Sequence, residues 1–281
     1  MFDISIVFVN HYSKKELTSA LASLMADLAT GKTNAHITVV DNSANNDGIK
    51  DELSLNFPKV KYLPATDNQG LSSGLNLGFK AVPARYYLTL NPDILIPENS
   101  NTIERLVKFM DANPKIGAIG PKLVYPDGTL QNSCYRFDRP SILVKPFKHL
   151  NWETKYALIK KYADRLEMRD FDHNETRPVD WVMGSAIMAR DEAVRKVGWP
   201  DKRYFLYFED CDWCQSFWEN GWPVYYVHDI VIQHRHARES AEIPGIFTAL
   251  IRNRLARIHL SSMIKYLWKW RQSHKYYAKL S

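Results

Sequence analysis

Residues 4–9 run Ile, Ser, Ile, Val, Phe, Val, and so nearly continuous an apolar stretch predicts a strand buried on both faces. Over residues 15–28 the period changes. Leu17, Leu21, Leu24, Met25 and Leu28 fall on one face of a 3.6-residue helix, with Gly31 just past its end. The alternation continues, with strands predicted at 37–40, 60–63 and 86–90 and helices at 47–55, 71–81 and 102–113. Strands alternating with helices predict an α/β fold with a parallel sheet and right-handed crossovers. Beyond Ile116 the pattern loosens. A strand at 117–124 and a turn at 125–129 precede an irregular stretch, 134–178, that holds a basic, aromatic helix around 152–165. One apolar strand, 179–189, has Gly184 and Ser185 at its centre, and short helices follow at 191–197 and 212–220. Short strands at 224–227 and 230–232 complete the body. The tail, 246–280, reads as a basic amphipathic helix.

In parallel sheets ligands bind beyond the carboxyl ends of the strands. Asn10, Asp41, the Asp67-Asn68 pair and Asn91 to Asp93 all fall at that edge. Asp41 is placed either to cap the turn after its strand or to accept the N3–H of a pyrimidine base, and the company of the other polar clusters favours the base contact. The segment from Asn68 through Gly70, Gly74 and Asn76 to Gly78 opens a helix. Its backbone N–H groups suit a phosphate, and its small residues suit close helix packing equally well. No Gly-Lys-Ser/Thr follows, so it is not a P-loop. Asp93 ends an apolar strand after Asn91 and Pro92, where one carboxylate can share Mg2+ or Mn2+ with substrate phosphates. Glu209, Asp210 and Asp212 place three acids within four residues, directly after an aromatic run. Acids in apolar surroundings are costly unless they are paired, bind metal or carry chemistry. Asp210 is the candidate general base and Glu209 the residue that orients it or the acceptor. Among His228, His234 and His236, one is a candidate metal ligand, and Arg235 and Arg238 are candidate phosphate partners.

Composition narrows the class. The 281 residues suffice for one large domain with an extension, and the apolar and charged fractions are those of an ordinary globule. Three cysteines give no disulfide framework, which points to a reducing compartment, and Cys211 with Cys214 cannot complete a structural zinc site. The N-terminus lacks a basic n-region and reads as a strand, and no apolar run reaches the roughly 18 residues of a membrane span. After Glu242 there is no acid, while eight Arg and Lys residues follow. These more than account for the net charge of +6, so the body is near neutral. A basic tail rich in Trp and Tyr suits an anionic membrane surface, with docking on the body as its alternative. No base-reading motif is present, so a nucleic-acid partner is not expected.

Taken in order, Val39 to Ser43, the Asn68–Gly78 cluster, Leu90 to Asp93, Gly184-Ser185, Phe208 to Asp212, His234 and Ser240 resemble the inverting glycosyltransferases of family 2. Within that family they resemble the rhamnosyltransferase branch of bacterial O-antigen and surface-polysaccharide synthesis. The resemblance covers residues 3–240. It implies a GT-A fold, meaning a Rossmann-like mixed sheet flanked by helices, here with a basic amphipathic helical extension. It divides the chain into a nucleotide-sugar half (1–115), an acceptor and catalytic half (116–240) and a tail (241–281). It implies donor contacts from Asn10, Asp41, Asn68, Gly70, Asn76, Asn91 and Arg238, a Mg2+ or Mn2+ site at Asp93 and His234, and Asp210 as base beside Glu209. The usual Asp-x-Asp is Asn-Pro-Asp here, a marker of the branch. The implied donor is dTDP-L-rhamnose, with galactofuranose, GlcNAc or glucose donors as alternatives. The implied acceptor is a saccharide on polyprenyl diphosphate, at the cytoplasmic face of the bacterial inner membrane. A non-catalytic nucleotide-sugar or membrane-binding module and a metal-dependent nucleotide hydrolase are the rival classes.

Overall fold

The structure, a computed structural model, describes residues 1–148, 154–235 and 253–272. β1 (Phe2–Asn10) is sandwiched as its continuous apolar pattern requires. Ile4, Ile6 and Phe8 belong to the same core as Leu17, Leu21 and Leu24 of α1 (Lys14–Thr30). Val7 and Val9 join the other core, on the far side of the sheet. β2 (Ala35–Asp41), α2 (Ile49–Asn56), β3 (Lys61–Pro64), α3 (Leu71–Lys80) and β4 (Ala84–Leu90) follow as predicted. Gly74 and Gly78 of α3 lie against Val9, Val7 and Val40, where an added Cβ would collide, so part of the glycine pattern serves close packing. Leu75 and Phe79 of α3 are buried with Val7 and Val9. Burying each such side chain contributes about 2 kcal/mol.

After β5 (Ile94–Leu95) and α4 (Thr102–Ala112), the chain adds β6 (Ala118–Val124), β7 (Leu130–Gln131), β8 (Cys134–Tyr135), α5 (Arg139–Lys148), α6 (Ala157–Leu166), β9 (Arg177–Pro178), β10 (Trp181–Val182), β11 (Ala186–Arg190), α7 (Asp191–Val197), α8 (Glu209–Glu219), β12 (Val224–His234) and α9 (Arg254–Lys269). The main sheet runs β3-β2-β1-β4-β11-β6-β12-β5. β3, β2, β1 and β4 are parallel. β11 is antiparallel to both β4 and β6, β12 is parallel to β6, and β5 is antiparallel to β12. The sheet is therefore mixed, with helices on its faces.

Three predicted elements differ in form. The apolar stretch 179–189 is two strands in two sheets, because the chain leaves β10 at Gly184 and Ser185 to bond elsewhere before β11. The short strands 224–227 and 230–232 are one strand, β12, with an irregularity in its pairing between Val227 and Val231. α8 starts at Glu209 rather than Asp212, which puts all three acids in its first turn, where the helix dipole favours negative charge. Of the predicted helix around 152–165, residues 157–165 are seen in α6 and residues 152 and 153 lie outside the described residues, while α5 stands in a stretch read as irregular. Residues 246–252 and 273–280 of the predicted tail helix lie outside the described residues.

Candidate active site

The pairing of β5 with β12 aligns Ile94 with His234 and so brings together two residues 141 positions apart, Asp93 and His234. His234 Nε2 lies 3.2 Å from Asp93 Oδ1. The imidazole is 1% exposed, and its Nδ1 is 2.7 Å from Gln131 Oε1, supplied by β7. The contact with Gln131 orients the ring so that Nε2 faces the Asp93 carboxylate. An imidazole nitrogen and a carboxylate oxygen at that separation can share a proton or a divalent cation. The Asp93 side chain is one-quarter exposed, so the pair opens outward. Among the described residues no group of three or more His, Cys, Asp or Glu side chains converges.

A chain of hydrogen bonds connects this pair to the acidic motif. Asn91, two residues before Asp93, donates its backbone N–H to Ser185 O at 3.0 Å. Gly184, next to Ser185, donates its N–H to Asp210 Oδ2 at 2.9 Å. Asp210 Oδ1 accepts the Cys211 N–H at 2.7 Å. The first turn of α8 therefore sits against the β10–β11 crossing. The three acids are placed differently. Glu209 is 6% exposed and Asp212 1% exposed, while Asp210 is half-buried and reaches the surface. Just before them, Tyr207 and Phe208 adopt φ of 68° and 67°. Two consecutive non-glycine residues in the left-handed region store strain, which accumulates at functional sites.

Asp212 is an anchor. It accepts from Tyr204 Oη at 3.1 Å, Lys269 Nζ at 2.7 Å and Trp270 Nε1 at 2.8 Å, so it ties α9 to the body. Burial pushes its carboxyl above the usual range, opposed by Lys269. Lys269 also reaches Asp201 at 2.9 Å. The carboxyl of Asp201 is held below its ordinary value; burial works against this, and the Lys269 and Arg203 hydrogen bonds outweigh it. Tyr266 of α9 bonds Gln215 of α8, and Ser262 Oγ donates to Leu206 O at 2.9 Å. The described part of the tail thus docks on the body through one face. Ile264 and Trp268 remain 57% and 63% exposed on it. Cys134, Cys211 and Cys214 are free, buried thiols.

At the far strands, Asp41 is fully buried. Its Oδ1 accepts from Asn10 Nδ2, Ser43 N and Ser43 Oγ, and its Oδ2 from Asn45 N and Tyr62 Oη, at 2.6–3.1 Å. Burial alone would raise its carboxyl, but the Ser43, Asn10 and Asn45 bonds prevail and hold it low. Burial and the bond to Asp41 push the Tyr62 phenol up to about 12. The Asn10 amide also donates to Asp47 Oδ2 at 2.9 Å. Turn capping therefore describes what Asp41 does in this structure. Asn76 is likewise engaged inside, donating to Ser72 O and Pro200 O at 2.7 Å each, which clamps α3 to the 200s loop. Asn68 holds the loop before α3 by accepting the Gly70 N–H at 3.0 Å. Gly70, at φ 90°, lies against the Phe205 backbone, where any Cβ would overlap the carbonyl oxygen, and Leu71 N–H donates to that same oxygen at 2.7 Å. The glycine loop is thereby fastened to the segment that leads into Asp210. Arg238 lies outside the described residues.

Sequence reasoning missed Gln131, which fixes the His234 ring, and Tyr62, which closes over Asp41. Each meets its partner only through strand pairing, so no local signal announces it. Lys269 and Trp270, noted only as tail residues, carry the anchor at Asp212.

A mixed sheet with acids gathered at the carboxyl ends of its strands is the architecture of a GT-A glycosyltransferase. The sequence model of glycosyl transferase family 2 matches residues 4–175, and this chain belongs to that family. It is 29% identical over 261 residues to N-acetylglucosaminyl-diphospho-decaprenol L-rhamnosyltransferase of Mycobacterium tuberculosis, covering 86% of this chain and 79% of that protein. Its fold matches GalNAc-T7 with UDP, GalNAc and Mn2+ at a TM-score of 0.60 and 16% identity, over 83% of this chain and 43% of that longer one. It also matches the mannosyltransferase of Pyrobaculum calidifontis in complex with GDP-Man and Mn2+ at a TM-score of 0.57 and 13% identity, over 99% of this chain and 78% of that one. This chain spans less than half the length of the GalNAc-T7 chain.

Proposed function

We propose that this glycosyltransferase moves L-rhamnose from dTDP-L-rhamnose onto a saccharide carried on polyprenyl diphosphate, in bacterial O-antigen or related polysaccharide synthesis. The observation that carries the chemistry is Asp210. It is the one acid of its motif that reaches the surface, and the Gly184 N–H fixes its orientation beside the strand end that bears Asp93. The similarity to the mycobacterial rhamnosyltransferase supports the sugar and the lipid-diphosphate acceptor.

In this reading Asp210 takes the proton from the acceptor hydroxyl as its oxygen attacks the anomeric carbon. The bond to the nucleotide diphosphate breaks in the same displacement, so configuration inverts and no sugar is held on the protein. Glu209, the buried neighbour of Asp210 in the sequence, is proposed to orient it. Asp93 and His234 would hold a divalent cation, Mg2+ or Mn2+, which would supply charge neutralisation for the departing diphosphate. Asn68, Gly70 and Asn91 border the donor, and Arg238 is proposed to pair with its phosphates. Asn10, Asp41 and Asn76 shape the pocket from beneath. A base contact by Asp41 requires Asn45 or Tyr62 to yield its bond to Oδ2.

We assign 1–115 to the donor, 116–240 to the acceptor and catalysis, and 241–281 to a tail at the cytoplasmic face of the inner membrane. No helix of the described residues is long and apolar enough to cross a membrane, and the exposed Ile264 and Trp268 of α9 support a peripheral contact.

The test is transfer onto a synthetic GlcNAc-diphospho-lipid with Mg2+ or Mn2+, offering dTDP-rhamnose beside UDP- and GDP-sugars. Product from dTDP-rhamnose alone is the expected result. Product from a different donor would overturn the donor assignment, and donor cleavage as fast without acceptor as with it would make the protein a hydrolase.

A further inference from the structure

The exposed side of α9 next to Phe205 carries a basic stripe. Arg254, Arg257, Ser261 and Lys265 recur at helical spacing and, with Phe205 opposite, border a cavity of about 370 Å3. None of its described lining residues is acidic, and the chain has no acid after Glu242. Like charges three and four residues apart destabilise a helix, and α9 supplies no acid of its own to offset them. The Arg254 guanidinium lies 5.7 Å from the centre of the Phe205 ring, which holds its planar fork at the cavity wall. Lys265 Nζ donates to Arg203 O at 2.9 Å, one of the three protons it can offer.

Phe205 joins this cavity to the rest of the site. Its carbonyl holds the Leu71 N–H behind the glycine loop, and the Tyr207 and Phe208 rings that follow pack on His259 of α9 at 4.9 Å and 5.4 Å. Asp210 comes two residues later. On the same helix, Ile264 and Trp268 are exposed one turn apart, beside Lys265. The segment from Phe205 to Asp210 thus borders the cavity at one end and carries the acid at the other, and the helix that forms the cavity wall also carries the exposed apolar pair. A molecule built as sugar, diphosphate and lipid has a part for each of the three.

We infer that the cavity between Phe205 and α9 binds the diphosphate of the lipid-linked acceptor through Arg254, Arg257 and Lys265, with the lipid leaving over Ile264 and Trp268. This rests on the acceptor proposed above. Arginine forks pair with phosphate oxygens two at a time and lysine adds a third cation, which is chemistry suited to a diphosphate.

The test compares the full chain with Arg254→Gln/Arg257→Gln/Lys265→Gln on two acceptors that share sugar and alkyl chain. One carries the diphosphate and the other is a plain glycoside. Wild type has the lower KM for the diphosphate acceptor. The triple variant raises that KM about tenfold or more and loses the preference, and the charge-conserving Arg254→Lys/Arg257→Lys variant keeps much of it. A preference that survives, or equal losses on both acceptors, overturns the inference. So does a loss seen only on vesicles containing phosphatidylglycerol and absent in neutral detergent, which assigns the stripe to membrane headgroups. Calorimetry with inorganic pyrophosphate, at saturating dTDP and without divalent metal, separates the cavity from the acceptor reading. Pyrophosphate binding by wild type and not by the variant supports the cavity even if no diphospho-lipid is glycosylated. If wild type does not bind it, the cavity is not a diphosphate site.

Discussion

At the scale of single residues, the site depends on side chains whose partners are fixed by the backbone. Asp93 and His234 face one another at 3.2 Å, and Gln131 fixes which nitrogen His234 presents. His234→Gln should therefore weaken the response to Mn2+ by about tenfold, read as the metal concentration for half-maximal transfer, while the fold is kept. Unchanged metal dependence would remove His234 from the metal site. Asp41 makes a prediction of the opposite kind. Its carboxyl is held below the ordinary value, so its contribution to stability is complete above about pH 4 and is lost as pH falls through its depressed folded value. Asp41→Asn should destabilise the protein by roughly 2–4 kcal/mol at neutral pH, because donors aimed at the carboxylate lose their acceptor. The gap in melting temperature between variant and wild type should narrow on acidification below that pH. A gap independent of pH would mean that Asp41 is not ionised in the fold. Asp93 and Asp210 stood out in the sequence because acids beside apolar runs are costly unless they are paired, bind metal or carry chemistry. Gln131 did not, since a glutamine after a turn carries no sign of the histidine it meets 103 residues later.

At the scale of elements, α9 is held by a buried ion pair. Asp212 is 1% exposed, and Lys269 supplies the opposing charge at 2.7 Å. Lys269→Met should cost roughly 2–4 kcal/mol, because a buried carboxylate is left without its cation. Amide exchange in residues 254–269 should speed up before that of the central sheet. Adding Asp212→Asn should recover part of the loss, and a purely additive double variant would show the pair to be uncoupled. The alternation of strands and helices through residue 113 was readable because each element has one period and one buried pattern. The split at Gly184 was hidden because apolar residues on both sides read as one run, while the break itself is set by a distant carboxylate, Asp210. The start of α8 was misplaced by three residues because Tyr207 and Phe208, which precede it, take a left-handed backbone that their types disfavour.

At the scale of the molecule, three distant stretches are fastened around one segment. The glycine loop at Gly70, the β10–β11 crossing at Gly184 and helix α9 all contact the chain between Phe205 and Asp212. That segment therefore couples the glycine loop before α3 to the tail, an arrangement that composition and periodicity alone do not display. The basic tail was legible as a charge pattern, and its docking was not, because the acid that anchors it belongs to the motif read as catalytic. The central claim is that Asp210 drives a single inverting displacement. The most direct measurement is the anomeric configuration of the product by NMR, with Asp210→Asn run alongside under saturating donor and acceptor. The expected product has the configuration opposite to the donor, and kcat falls by about 10²–10⁴ in the variant with donor affinity unchanged. A product of retained configuration, or an Asp210→Asn enzyme with undiminished turnover, would contradict the claim.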